Sequence, residues 1–417
     1  MEIKSYYEEE AKSIQLLINM RDVSESEKTN IFHHSLHRKK IQKSAIIKIQ
    51  EEGNIFLGHK ACSDFIQNKV AELLENPIEY NKVYQEELLK EISQVFSEED
   101  NLALMKIPDK TEVYETLKNS NLMAAPGSDG ITNYFYLKLY HCLGDILTKV
   151  IIEIFTSKKP TLSQRTCLMV FAGKPGKNDS MLLKDKRKIS LLNNDFKLLT
   201  GIENRRHKLI LSHTVSPLQF ALGTNKKIHH AINSARDAIQ ATNQKKEGFA
   251  ICDLDFKSAF DFLSMDWVLK VLSAKGMHAE AVNRMRRYYT ESYTVPIINN
   301  VQGRKIINKR LTLRQGDCPS SAWFGYGVDP LLLHLERILK GIIIHSEPVF
   351  GPRNVEEPSK IKEIQHTYKI TGYCDNLKPA VTSLEEFYLV DRAVRMFEGA
   401  SGCELHRDIS FKKCKIL

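Results

Sequence analysis

The sequence lacks any continuous run of about 20 apolar residues, the length a helix needs to cross a bilayer. Its start, MEIKSYYEEEAK, lacks the apolar core of a signal peptide. Its eight cysteines, Cys62, Cys142, Cys167, Cys252, Cys318, Cys374, Cys403 and Cys414, form no CxxC pair and no short even spacing. Neither a disulfide framework nor a zinc ribbon is therefore indicated, and reduced thiols inside a cell are expected. Internal repeats and low-complexity tracts are also missing. The expected setting is intracellular, in cytoplasm or nucleus, with no membrane partner.

What is present is an ordinary globular composition. Hydrophobic residues make up 42% and charged residues 27% of 417 positions, which argues against disorder. A net charge of +9 favours an anionic partner, because a basic surface attracts phosphates over about a Debye length. Residues 1–100 are polar, with weak helical periodicity and a short apolar patch, AIIKI. The run HRKKIQK (37–43) reads as a solvated linker, and His33, His34 and His37 have no acidic or cysteine partner nearby to complete a metal site.

From residue 101 the pattern changes. YFYLKLYHCLGDILTKVIIEIF (134–155) spaces its apolar residues for a buried helix, and MLLKDKRKISLLNNDFKLLTGI mixes strand-like runs with basic residues. GFAICDLDF alternates so that Cys252, Leu254 and Phe256 share one face and Asp253 and Asp255 the other. A helix should follow, capped by Ser264, striped by Val268, Val271 and Leu272, and ended by Gly276. SLEE (383–386) opens another as a capping box, with Phe387, Val390, Val394 and Phe397 inward and Gly399 just beyond its end. Strand, helix, strand hairpin and helix make an α+β sheet covered on one side.

GYCDN (372–376) reads as strand, tight turn, strand, with Pro379 suggesting a short or edge second strand. If the strands of Asp255 and Asp375 lie side by side, two carboxylates converge and can bridge two magnesium ions about 4 Å apart. Either aspartate alone reads as an ordinary capping or salt-bridged residue.

DFKSAFD (255–261), YCDN, RQGDCPSS (314–321), PGSDG (126–130), KPGK (174–177) and RKISLLNNDFKLL (187–199) occur together in one chain. With SPLQFALGTNKKIHHAI (216–232), they resemble the successive motifs of reverse transcriptases, specifically the polymerase of non-LTR (LINE-type) retrotransposons. The resemblance covers residues 100–417. It implies a right-hand polymerase fold: a palm sheet with packed helices plus helical fingers, and a thumb largely absent. The implied division is a polar helical extension or linker over 1–100, fingers over 101–250 and palm over 251–417. It also implies two Mg2+ ions, with Mn2+ as an alternative, and an RNA template, a DNA primer and dNTPs as partners.

By the same resemblance, Asp255 and Asp375 are the metal-binding aspartates and the carbonyl of Phe256 a further ligand. Phe260 matches the aromatic gate under the incoming sugar, which disfavours an RNA-directed RNA polymerase. Gln315 and Gly316 match the segment contacting template and nucleotide, and Lys174 and Arg187 the basic positions that hold the triphosphate. Gln219 and Gly223 align with the family, and Asp129 and Gly130 match a structural turn. Lys413, with Lys412 as the alternative, matches the lysine that protonates the departing pyrophosphate.

Three departures stand out. Cys318 interrupts the RQGDPLSP form, Lys188 replaces a proline, and Asn376 stands where the family has a second aspartate. Asn376 keeps the shape but removes a charge, so impaired nucleotidyl transfer is one expectation. The other is a catalytically inactive nucleic-acid-binding remnant.

Overall fold

The structure is a computed structural model that describes residues 45–417 apart from 52, 178–179, 225, 246–247, 346–364, 408–414 and 417. Lys412, Lys413 and the basic and histidine-rich stretch of residues 33–43 lie outside the described residues. The architecture is mixed α and β.

One sheet has the order β11 (Ile370–Tyr373), β12 (Asn376–Val381), β5 (Ala250–Asp255), β13 (Lys415–Ile416), antiparallel throughout. Alternation sends Cys252, Leu254 and Leu377 into the main core against the helices Met265–Ala274, Ser320–Ile338 and Leu384–Ser401. At one end of the opposite face, Ile251 and Ala380 pack with Ala238 of the helix Ile228–Lys245 and with Ile342 and Tyr368. The last two come from the hairpin of β9 (Ile342–His345) and β10 (Gln365–Tyr368). The other end of that face, with Asp253, Asp255, Asn376 and Lys378, stays half-exposed. The sheet's carboxylates thus lie at an end that is open to solvent.

Pro379 does not make β12 an edge strand. β12 is central, and its pairing to β5 holds at Asn376 and Leu377, then at Ala380 and Val381. This gap in the ladder at Lys378 and Pro379 accommodates the missing N–H.

The second sheet joins β4 (Lys186–Leu191), β3 (Thr166–Gly173), β6 (Tyr293–Ile298), β7 (Val301–Gln302) and β8 (Ile306–Ile307), with β3 and β6 parallel. It crosses the boundary expected at residue 250, because β6 pairs with β3 from before it and carries β7 and β8. Residues 45–100 are likewise built into the molecule. β1 (Lys48–Glu51), β2 (Asn54–Leu57) and the helix His59–Glu75 bury Ile49, Ile66 and Val70 against Met169, Ile298 and Ile306. The helix Lys82–Leu89 packs on Leu384–Ser401 through Tyr84, which closes over Gly399.

Local signals explain the helix starts. Ser264 caps Met265–Ala274 through the Asp266 N–H, and Gly276 follows at φ 88°. Ser383 accepts from Glu386 N–H, but the Glu386 carboxylate turns to the N–H groups of Thr382 and Lys340, so only half of the expected box forms. The helix also runs past Gly399 to Ser401, where Gly402 at φ 81° supplies the left-handed cap.

Candidate active site

β12 lies antiparallel to β5 with Asn376 directly opposite Asp255. The β11–β12 hairpin turns in two residues, Cys374 and Asp375, so Asp375 adjoins Asn376 at the same end of the sheet. Motifs far apart in sequence therefore meet, and Asp375 occupies the turn itself. Cys374 sits at φ 56°, a conformation usually left to glycine at this place in a hairpin and costing another residue about 1–2 kcal/mol. Burial, reinforced by the neighbouring Asp375 charge, pushes the Cys374 thiol up to about 12, so it stays protonated.

Asn376 does not simply stand in for a missing carboxylate. Its Nδ2 donates to Asp253 Oδ1 at 2.7 Å, and Lys378 Nζ reaches the same oxygen at 3.0 Å. Asp253 is thus tied to both, while Asp255 faces a different neighbour. His406 donates its main-chain N–H to the Asp255 carbonyl at 3.0 Å, and its Nε2 lies 4.0 Å from Asp255 Oδ2. Sequence reasoning missed both Asp253 as the partner of Asn376 and His406 as the neighbour of Asp255. The alternation in CDLD could have flagged Asp253; nothing local flags His406.

Phe256 is buried, its ring 5.6 Å from that of Phe397, and its backbone bridges Leu405. Phe260, in the short helix Ala259–Phe262, is half-buried with its ring 5.2 Å from Phe324. Asp261 of the same helix pairs with Lys188 at 2.9 Å, tying β4 to the segment that follows Asp255. Where the family pattern has proline, this chain therefore has an ion pair between the two regions.

The RQGD loop leans on the same strand. Gln315 accepts from Ser190 N–H at 2.7 Å through its carbonyl. Gly316 has φ 120°, and a Cβ there would stand 2.6 Å from the Ser190 carbonyl oxygen, so only glycine fits. Cys318 is exposed, and its main-chain N–H donates to the Asp317 carboxylate. Arg187 is exposed on β4 opposite Ala172. Lys174 donates its ammonium to the Lys184 carbonyl at 2.7 Å. In PGSDG, Gly127 packs against Asn193 with no room for a Cβ, and Gly130 turns the chain at φ 73°.

The donors at the β5–β12 end, Asp255, Asp375 and main-chain carbonyls, are hard oxygens of the kind magnesium takes. Among the described residues no three His, Cys, Asp or Glu side chains converge into a group that could hold a metal ion.

Residues 174–417, more than half of the chain, match the family described as "Reverse transcriptase (RNA-dependent DNA polymerase)". The chain belongs to the reverse transcriptase family. It is also 26% identical over 221 residues to the "Transposon TX1 uncharacterized 149 kDa protein" of Xenopus laevis. That likeness covers 53% of this chain and 17% of the relative, so the chain corresponds to a small part of that protein. Among the described residues, no helix of this reverse transcriptase relative is long and apolar enough to cross a membrane.

Proposed function

We propose that the chain is part of the RNA-directed DNA polymerase of a non-LTR retrotransposon, with its four-stranded sheet as palm and the five-stranded sheet and its helices as fingers. The observation that supports this most strongly is the register that sets Asn376 opposite Asp255 and carries Asp375 to the same sheet end. Asp255, Asp375 and the carbonyl of Phe256 would hold Mg2+, or Mn2+ in its place. When bound, such ions activate a primer 3′-hydroxyl and stabilise the leaving oxygen of in-line phosphoryl transfer.

The chain's own residues supply the rest. Phe260, braced on Phe324, offers a ring edge against a ribose 2′-hydroxyl. Gly316 lets the backbone approach a base pair closely, and Arg187 offers a guanidinium fork to phosphate oxygens. Lys413 remains the proposed donor of a proton to pyrophosphate. Asn376 supplies no charge, and removing one electrostatic contact of this kind costs about 2–4 kcal/mol of transition-state stabilisation, roughly 30- to 1000-fold in rate.

The Asn376–Asp253 hydrogen bond also favours a second reading, a catalytically inactive remnant that binds nucleic acid. Primer extension on an RNA template separates the two, using the parent chain, Asn376→Asp, Asn376→Asp/Asp253→Asn, and Asp255→Ala as the blank, in Mg2+ and then Mn2+. Extension by the parent above the blank supports the polymerase. Extension only in the aspartate variants means a disabled copy. Silence in all, with RNA binding whose log affinity falls linearly in log salt, supports the remnant.

A further inference from the structure

From the contacts around the turn, we infer that Gln219 is a positioning residue that clamps the Cys374–Asp375 turn and thereby fixes where the Asp375 carboxylate stands. The inference rests on the proposed function only for what the turn is for. Gln219 is fully buried. Its Oε1 accepts from Cys374 N–H at 2.7 Å, and its Nε2 donates to the Cys374 carbonyl at 3.1 Å. One amide thus satisfies both polar groups of the single residue in the hairpin that carries a positive φ. A cysteine at φ 56° resists that conformation, so the turn needs an outside hold.

The clamp is itself anchored. The backbone beside Gln219 pairs with β11: Phe220 N–H donates to the Gly372 carbonyl at 2.7 Å and Gly372 N–H to the Leu218 carbonyl at 2.9 Å. Lys226 Nζ caps the carbonyls of Ser216 and Gln219. Ser216 N–H donates to Asp329, whose carboxylate pairs with Lys275 at 2.8 Å in the interior. Lys275 also donates to the Thr214 carbonyl. A buried ion pair therefore fixes the segment 214–219, which fixes the turn.

Hydrogen exchange on the full chain tests this. Gln219→Met keeps the volume and removes both hydrogen bonds. The expected result is exchange at least about tenfold faster over residues 373–378, with the helix Met265–Ala274 unchanged. Adding Cys374→Gly, which takes a positive φ without steric cost, should bring exchange back to within about threefold of the parent. Mn2+ affinity should fall in Gln219→Met and recover in the double variant. Unchanged exchange at the hairpin in Gln219→Met, or faster exchange throughout the chain with no rescue by glycine, overturns the clamp. A parent that binds no Mn2+ while exchange behaves as expected removes the metal reading and leaves the clamp standing.

Discussion

Asn376→Asp restores the residue the family motif calls for, yet in this chain it should destabilise the metal-free protein. The Asn376 amide donates to Asp253 Oδ1 at 2.7 Å, and the substitution replaces that donor with an oxygen anion. Losing a hydrogen bond to a charged acceptor costs about 1.5–3 kcal/mol. Two carboxylates that rotate to roughly 4 Å apart repel by about 1–4 kcal/mol at effective dielectrics between 80 and 20. Lys378 on the same oxygen, with side chains 33% and 23% exposed, pulls the sum toward its lower end. The expected loss is about 2.5–4 kcal/mol in chelator at low salt, shrinking in added Asp253→Asn. Millimolar Mg2+ should narrow the gap further, since a ligand at 100 times its Kd adds about 2.7 kcal/mol. Urea unfolding of the parent, the single variant and the double variant, each with chelator and with Mg2+, reads all of this. An Asn376→Asp variant as stable as the parent in chelator would refute the reasoning, because the Asn376–Asp253 contact would then be worth nothing.

Other consequences are equally open to measurement. His207 is buried with its pKa lowered from 6.5 to about 4, chiefly by burial. Its contribution is therefore complete above pH 6.5 and is lost as pH falls toward 4, by roughly 3 kcal/mol in all; His207→Leu should flatten that part of the stability–pH curve. Gly316→Ala should cost about 2–3 kcal/mol in a thermal melt, since the new Cβ meets the Ser190 carbonyl at a backbone angle that L-residues avoid. Asp329→Ala leaves Lys275 buried without its counter-charge and should cost about 3–5 kcal/mol in urea unfolding. If the chain extends primers, Phe260→Val should raise ribonucleotide over deoxyribonucleotide use by at least about tenfold, and an unchanged ratio would take the gate role from Phe260.

Much of the site's frame was legible because its signals are local. Alternation in AICDLDF separates core from acid face, Ser264 marks a helix start, and the two residues between Tyr373 and Asn376 force a tight hairpin. What was illegible depends on distance. Asn376 and Asp253 are separated by 123 positions and Gln219 and Cys374 by 155, and no periodicity encodes which side chain crosses such a gap. Residues 45–100 misled for a related reason. Their apolar positions are divided among two short strands and separate helices, so helical periodicity is weak, yet Ile49, Ile66 and Leu88 are among the most buried side chains because distant elements cover them. Gly399 looked like a helix end; it is an interior residue kept small by the Tyr84 ring.

The proposed activity requires Asp255 and Asp375 to act together at one end of the β5–β12 pair. Titrating Mn2+ into the parent, Asp255→Asn and Asp375→Asn, followed by electron paramagnetic resonance of the free ion, tests that claim most directly. The expected result is saturable binding in the parent that each substitution weakens at least about tenfold, the two losses not adding because the carboxylates share a site. Binding that survives both substitutions unchanged, or is lost with only one of them, would contradict it.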